Sequence, residues 1–102
     1  MAKSQSSTKV KVKPRTDLEP PRQFKVIYLN DDITTMEFVM STLMEIFDHS
    51  AESAMEITQK IHEEGSAVVG VYPFEVAEHK GVEVTVLARA QQFPLKVKIE
   101  AE

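Results

Sequence analysis

The sequence predicts an α+β domain in which a small three-stranded antiparallel sheet packs against three helices, in the order β-α-α-β-α-β. Two observations lead to this prediction. Three short segments, 24–29, 67–72 and 95–99, are rich in β-branched residues or alternate apolar with polar ones, as strands do. The longer segments between them repeat apolar residues at helical spacing, and 102 residues supply material for one hydrophobic core.

The first 22 residues differ from the rest of the chain. They are rich in Ser, Thr, Lys and Pro without sustained periodicity, so we predict a flexible basic N-terminal extension over 1–22 and a core domain over 23–102. Residues 1–16 hold five cations and no acid, and removing them from the formal total of −4 leaves −9 for the remainder. A folded part this acidic is expected to bind neither nucleic acid nor anionic membrane.

Cysteine is absent, and no apolar run reaches the length of a membrane span. Disulfides, thiolate zinc sites and cysteine nucleophiles are therefore excluded. We expect a cytoplasmic protein in a reducing compartment.

The first strand and the first helix meet at a polar corner. Segment 24–29 is predicted as a largely buried strand. Thr34 and Glu37 have the spacing of a capping box, which predicts a helix that starts at about Thr35 and ends near residue 48. The apolar residues of this helix recur on one face and are expected in the core: Met36, Val39, Met40, Leu43, Met44 and Phe47.

The remaining elements follow from caps and periodicity. Ser50 is the expected N-cap of a second helix and Gly65 its stop, with Ala54, Ile57, Thr58 and Ile61 along one face. After the strand over 67–72, Pro73 suits the start of a third helix over 74–91. That helix is expected to bury five residues: Val76, Ala77, Val84, Leu87 and Ala88.

Asn30, Asp31 and Asp32, hereafter the acidic corner, end the first strand and offer several oxygen acceptors. The simplest interpretation is a turn, because Asn and Asp favour such positions. A second is a metal-dependent hydrolase that uses Asp31, Asp32 and His62, although no close-spaced ligand pair such as HExxH is present. Acid–base catalysis by the two carboxylates is a third, but the sequence shows no nucleophile with a base and, with three Gly, no phosphate-binding loop.

A fourth interpretation fits the pattern better: capture of an ammonium group attached to an apolar group. An α-amino group has a pKa of about 7.7–8.0 and is mostly protonated at neutral pH. It can donate to Asp31, to the Asn30 side-chain oxygen and to a neutral His62 ring. Four apolar-face residues of the first two helices can line a hole beside it, with ordinary core packing as the alternative: Met36, Val39, Thr58 and Ile61.

Separated motifs in the order of one family strengthen this interpretation, and over residues 22–100 the chain resembles the ClpS adaptor family. The motifs are Tyr-Leu-Asn-Asp-Asp at 28–32, Met-Glu-Phe-Val at 36–39, His-Glu-Glu-Gly at 62–65, Val-Gly-Val-Tyr at 69–72, Glu-Val-Ala-Glu-His-Lys at 75–80 and Phe-Pro-Leu at 93–95. Thr58 stands where Met is common in the family, which removes volume from a pocket wall and adds a hydroxyl.

The resemblance implies a non-enzymatic adaptor, without cofactor or metal, that binds proteins beginning with Leu, Phe, Tyr or Trp. It implies delivery of these N-degron substrates to the AAA+ unfoldase ClpA for degradation by ClpP, with the 1–22 extension engaged by that motor, and we expect a monomer. By resemblance, Asn30, Asp31 and His62 hold the α-amino group, and Glu75 and Lys80 dock on the N-terminal domain of the unfoldase. The side-chain pocket implied by the family consists of Thr34, Met36, Val39, Thr58, Ile61 and Leu95.

Overall fold

The computed structural model describes residues 19–102. The predicted order of elements and the α+β class are confirmed. The elements are β1 (Gln23–Leu29), α1 (Met36–Glu45), α2 (Ala51–Glu64), β2 (Ser66–Pro73), α3 (Phe74–Ala90) and β3 (Lys96–Ala101). Most of the predicted 1–22 extension lies outside the described residues, and residues 19–22 lead into β1 without regular secondary structure. None of the helices within 19–102 is long and apolar enough to cross a membrane.

The sheet has the order β2-β1-β3 and is antiparallel throughout, as predicted. The first strand is therefore central, with Tyr28 opposite Ala67 on one side and Val97 on the other. Val26 and Tyr28 are fully buried. Since alternate residues of a strand face the same side, they present one continuous apolar face to the helices.

A bulge interrupts the pairing of β1 with β2. Val26 pairs with Gly70 and Ile27 with Val68, which leaves Val69 as an extra residue in β2. The Val69 carbonyl accepts a hydrogen bond of 2.6 Å from His49 Nε2, and His49 Nδ1 is hydrogen-bonded to the Ser53 hydroxyl at 3.0 Å. The His49 side chain thus pairs with the carbonyl of the residue that the bulge leaves without a partner strand residue.

The predicted capping box of α1 was wrong by one residue. Thr35 is the N-cap, and its hydroxyl accepts from the Phe38 backbone N–H at 3.1 Å. Thr34 instead donates its hydroxyl to Asp31 at 2.8 Å. The helix also ends earlier than predicted, because the chain turns through Asp48, which has a φ of 60°.

The buried face of α1 is rotated relative to the prediction. Met36 and Met44 are exposed, whereas Phe38 is buried beside Phe93, with ring centroids 5.2 Å apart. The residues of α1 that do reach the core are Phe38, Val39, Thr42 and Leu43. Phe93, which lies far along the chain, thus packs against a residue of α1 that the helical spacing had not placed on the buried face.

Predictions for α2 were confirmed at both ends. Ser50 accepts from the Ser53 N–H at 3.1 Å, and Gly65 ends the helix with a φ of 92°.

In α3, burial of Val76 and Leu87 was predicted wrongly, since both are exposed. The face that contacts the sheet consists of small residues and one valine: Ala77, Gly81, Val84 and Ala88. These let the helix approach β3 closely.

Candidate functional site

The acidic corner is joined to the end of α2 by one backbone hydrogen bond. The Asn30 N–H donates to the Gly65 carbonyl at 2.8 Å. Gly65 reverses the chain in the left-handed conformation that suits glycine, three residues after His62. The end of the central strand and the last turn of α2 are thereby held together.

The carboxylate of Asp31 organises the corner. Its Oδ1 accepts from the backbone N–H groups of Ile33 at 2.8 Å and Thr34 at 2.7 Å, and its Oδ2 accepts from the Thr34 hydroxyl. Partial burial acts to raise the pKa of Asp31, but the hydrogen bonds from Thr34 and Ile33 outweigh it and hold that pKa below its ordinary value. Asp31 is therefore an ionised carboxylate at neutral pH.

A cavity of about 240 Å³ lies between the acidic corner, α1 and α2. Its mouth is polar, and its buried part is apolar except for Thr58. The residues that line it are Asn30, Asp31, Asp32, Thr34, Met36, Val39, Thr58, Ile61 and His62. The structure thus brings all but one of the predicted α-amino-binding and pocket residues to one cavity.

Leu95 is the predicted pocket residue that does not line this cavity. Its side chain is buried in the core, and its carbonyl accepts from Arg89 Nη1 at 2.9 Å. Leu95 lies two residues after Phe93, the residue that packs against Phe38 of α1. A role for Leu95 in the pocket stays a prediction.

Thr58 is the one deeply buried polar side chain of the cavity. It is 4% exposed, and among the buried side-chain nitrogen and oxygen atoms of residues 19–102 its Oγ1 alone lacks a hydrogen-bond partner. Thr34 also lines the cavity, but its hydroxyl is engaged by Asp31.

The two predicted docking residues lie on α3 and do not line the cavity. Glu75 is exposed in the first turn. Lys80 is half-buried: its ammonium donates to the Ile46 carbonyl at 2.7 Å and lies 5.3 Å from the centroid of the Tyr72 ring. The ammonium of Lys80 is therefore partly engaged within the domain.

Arg89 is a contributor to the site that sequence reasoning missed. Its positive charge adds a smaller effect that lowers the pKa of Asp31. The guanidinium is held by the Phe93 and Leu95 carbonyls, each at 2.9 Å. No local signal in the sequence relates Arg89 to Asp31, because folding alone brings α3 near the acidic corner.

A metal centre does not emerge from these residues. Asp31, Asp32 and His62 border the same cavity, but no three His, Asp or Glu side chains within residues 19–102 are grouped so that they could hold a metal ion. The hydrolase interpretation therefore lacks a ligand set in the described part of the chain.

Comparison with known proteins bears directly on this site. The model of the family "ATP-dependent Clp protease adaptor protein ClpS" matches residues 19–98. The chain belongs to the ClpS family. Adaptors of the ClpS family are not catalytic, so the chain is an adaptor of the Clp protease and not an enzyme, and the hydrolase interpretation was wrong.

Two ClpS relatives and one solved ClpS structure illustrate the similarity. The ClpS adaptor of Wolinella succinogenes is 41% identical over 95 residues, which are 93% of each chain. That of Oleidesulfovibrio alaskensis is 48% identical over 84 residues, covering 82% of this chain and 81% of the relative. The structure of Agrobacterium tumefaciens ClpS2 bound to L-phenylalaninamide is 38% identical, with a TM-score of 0.78, covering 81% of this chain and all of the other.

Proposed function

We propose that this adaptor binds the free α-amino group and the bulky apolar side chain of a protein's first residue, and delivers that protein to a ClpA-type AAA+ unfoldase for degradation by ClpP. The substrates are N-degrons that begin with Leu, Phe, Tyr or Trp. One observation carries the proposal: a single cavity combines an ionised acceptor mouth with apolar walls.

The mouth suits an ammonium group. The Asp31 Oδ2 accepts one hydrogen bond within the corner, from Thr34, and has further acceptor capacity. The Asn30 side-chain oxygen and a neutral His62 nitrogen provide two more acceptors, which matches the three donors of a protonated amine. No Lys or Arg of residues 19–102 lines the cavity, so no cationic side chain from this part of the chain pairs with Asp31 there.

The walls suit one apolar side chain. Val39 and Ile61 form buried wall, while Met36 is 45% exposed and borders the opening. A volume of about 240 Å³ is below that of pockets for drug-sized ligands, which span about 300–1,000 Å³. The cavity therefore fits a single amino-acid side chain.

The solved relative supports this proposal. Agrobacterium tumefaciens ClpS2 is bound to L-phenylalaninamide, a molecule that joins a free α-amino group to a phenyl side chain. These are the two groups that the mouth and the walls described above can recognise.

The proposal that the adaptor delivers substrates is based on membership of the ClpS family and on two residues of α3. We propose that Glu75 and Lys80 dock on the N-terminal domain of the unfoldase, with Lys80 using the donors that the Ile46 carbonyl leaves free. The adaptor acts as a cytoplasmic monomer in this proposal. Leu95 contributes to the pocket through the loop that it anchors.

Binding of short peptides tests the recognition step. A Phe-starting peptide is expected to bind, and N-acetylation or Asp31→Asn is expected to weaken binding by about tenfold to a hundredfold, the scale of about 1.5–3 kcal/mol for a charged hydrogen bond. Fluorescence anisotropy with the full chain measures both effects.

Asp48→Asn is the matched control. It removes one carboxylate outside the cavity, and Asn tolerates the positive φ of 60° found there. Binding of the acetylated peptide with unchanged affinity would contradict the proposed recognition of the amino group.

A further inference from the structure

The two buried threonines within residues 19–102 differ in the hydrogen bonding of their hydroxyls. Thr42 donates to the Val39 carbonyl at 2.9 Å and accepts from the Tyr28 hydroxyl at 2.8 Å. Thr58, at 4% exposure, has no protein partner for its hydroxyl and lines the cavity. A buried hydroxyl left unpaired by the protein costs free energy, unless a bound molecule pairs with it.

The position of Thr58 relative to the mouth indicates which part of a ligand meets it. Thr58 and His62 are four residues apart on α2, so they lie on the same face, separated by about 6 Å along the helix axis. His62 is exposed, whereas Thr58, one turn earlier in the helix, is buried. A first residue held by its α-amino group at the mouth therefore directs the far end of its side chain toward Thr58.

We propose that Thr58 is a specificity-determining residue that makes this adaptor favour N-terminal tyrosine over N-terminal phenylalanine. The inference rests on the function proposed above. A tyrosine hydroxyl and the Thr58 hydroxyl can each donate or accept, so they pair without any change of protonation. A phenyl ring of the same shape fills the cavity, excludes water from Thr58 Oγ1 and leaves that oxygen unpaired.

The remaining lining residues give the phenyl ring no compensating advantage. Val39, Ile61 and Met36 offer the same apolar walls to either ring, since tyrosine and phenylalanine differ only at the ring tip. Thr34 has a hydroxyl, but that hydroxyl is bound to Asp31 at the mouth. Selection between the two side chains thus falls to Thr58, as in sites where an unpaired buried polar group rejects the ligand that cannot bond to it.

The test compares two peptides that differ only in Tyr or Phe at the first position, each with a free and an acetylated amino end. Affinities are measured by isothermal titration for the full-length wild-type protein, for Thr58→Val and for Thr42→Val. Wild type is expected to bind the Tyr peptide about five- to tenfold more tightly than the Phe peptide. In Thr58→Val, which keeps the shape and removes the hydroxyl, the tyrosine hydroxyl loses its partner, so the ratio is expected to fall to one or below.

Thr42→Val is the matched control, because it removes a buried hydroxyl that does not line the cavity, and it should keep the wild-type ratio. An equal ratio in wild type and Thr58→Val overturns the assignment, and a wild-type ratio of one or less overturns it without any variant. If both free peptides bind and acetylation abolishes binding, but wild type and Thr58→Val have the same Tyr/Phe affinity ratio, the proposed function stands and only the assignment of Thr58 is overturned. If neither free peptide binds, the proposed function fails and this inference fails with it.

Discussion

Asp31 uses one carboxylate for two tasks. It holds the acidic corner through three hydrogen bonds from Ile33 and Thr34, and it faces the mouth of the cavity as an ionised group. The bonds that shape the turn are also those that keep its pKa low. The turn that Asn and Asp favour and the proposed amine site are therefore the same structure, not alternatives.

This coupling predicts a pH dependence of stability. The ordinary pKa of 3.8 is lowered in the folded state, so the stabilisation by ionised Asp31 is complete above about pH 3.8 and is lost as pH falls through the lower folded-state pKa. Asp31→Asn keeps an oxygen acceptor for the Ile33 and Thr34 N–H groups but does not titrate.

Thermal unfolding midpoints measured from about pH 7 down to about pH 3 check this prediction. The wild type should be the more stable protein by a constant margin near neutral pH, and the margin should shrink below about pH 3.8. A margin independent of pH would show that the charge of Asp31 contributes nothing to the fold.

Residue identities at the mouth were predictable because they are local. Asn30 and Asp31 follow a strand pattern directly, and the four-residue spacing of Thr58 and His62 places them on one helix face. The missing hydrogen-bond partner of Thr58 and the charge of Arg89 near Asp31 were not predictable, because both depend on contacts between segments far apart in the chain.

At the scale of the elements, helix ends were predicted best where a cap has no competitor. Ser50 and Gly65 ended α2 as expected. Thr34 and Thr35 are both suitable N-caps for α1. Because the Thr34 hydroxyl is hydrogen-bonded to Asp31, Thr35 is the residue that caps the helix. The buried faces of α1 and α3 were harder, because which residues are covered depends on partners such as Phe93 and the sheet.

Two glycines give a matched prediction at this scale. Gly65→Ala places a side chain at a φ of 92°, which costs about 1–2 kcal/mol although no atom of residues 19–102 lies within 4 Å of the new Cβ. Gly81→Ala lies inside α3, where its Cβ would meet Ile99 at 3.4 Å and Val97 at 3.5 Å in ordinary contact. Alanine is favoured over glycine within a helix by about 1 kcal/mol, so this variant should be stabilised.

Urea unfolding of both variants measures these changes, with midpoints expected to shift in opposite directions from wild type. Gly65→Ala should also weaken peptide binding, because the Gly65 carbonyl holds Asn30 at the mouth. A Gly65→Ala protein as stable as wild type would show that the left-handed end of α2 carries no strain.

For the whole molecule, recognition and delivery are expected to separate. Residues 19–102 supply the acceptor mouth and the apolar walls described above, so deletion of residues 1–18 should leave peptide affinity unchanged. The same deletion is expected to impair degradation of an N-degron substrate by ClpA and ClpP, because we propose that the unfoldase engages this segment during delivery.

Peptide titration and a degradation assay with the full and shortened proteins measure the two steps. Loss of peptide binding on deletion would make the segment part of the binding site. Full degradation by the shortened protein would instead remove the segment from delivery.

The central place of β1 in the sheet has a consequence for the entropy of binding. The acidic corner continues directly from a strand paired on both sides, and the Asn30 amide is tied to α2. In the proposed function, the substrate's chain end meets acceptors that are already ordered, so little conformational freedom of the adaptor is lost on association. The entropic cost of binding then falls mainly on the substrate's own first residues, which become ordered on association.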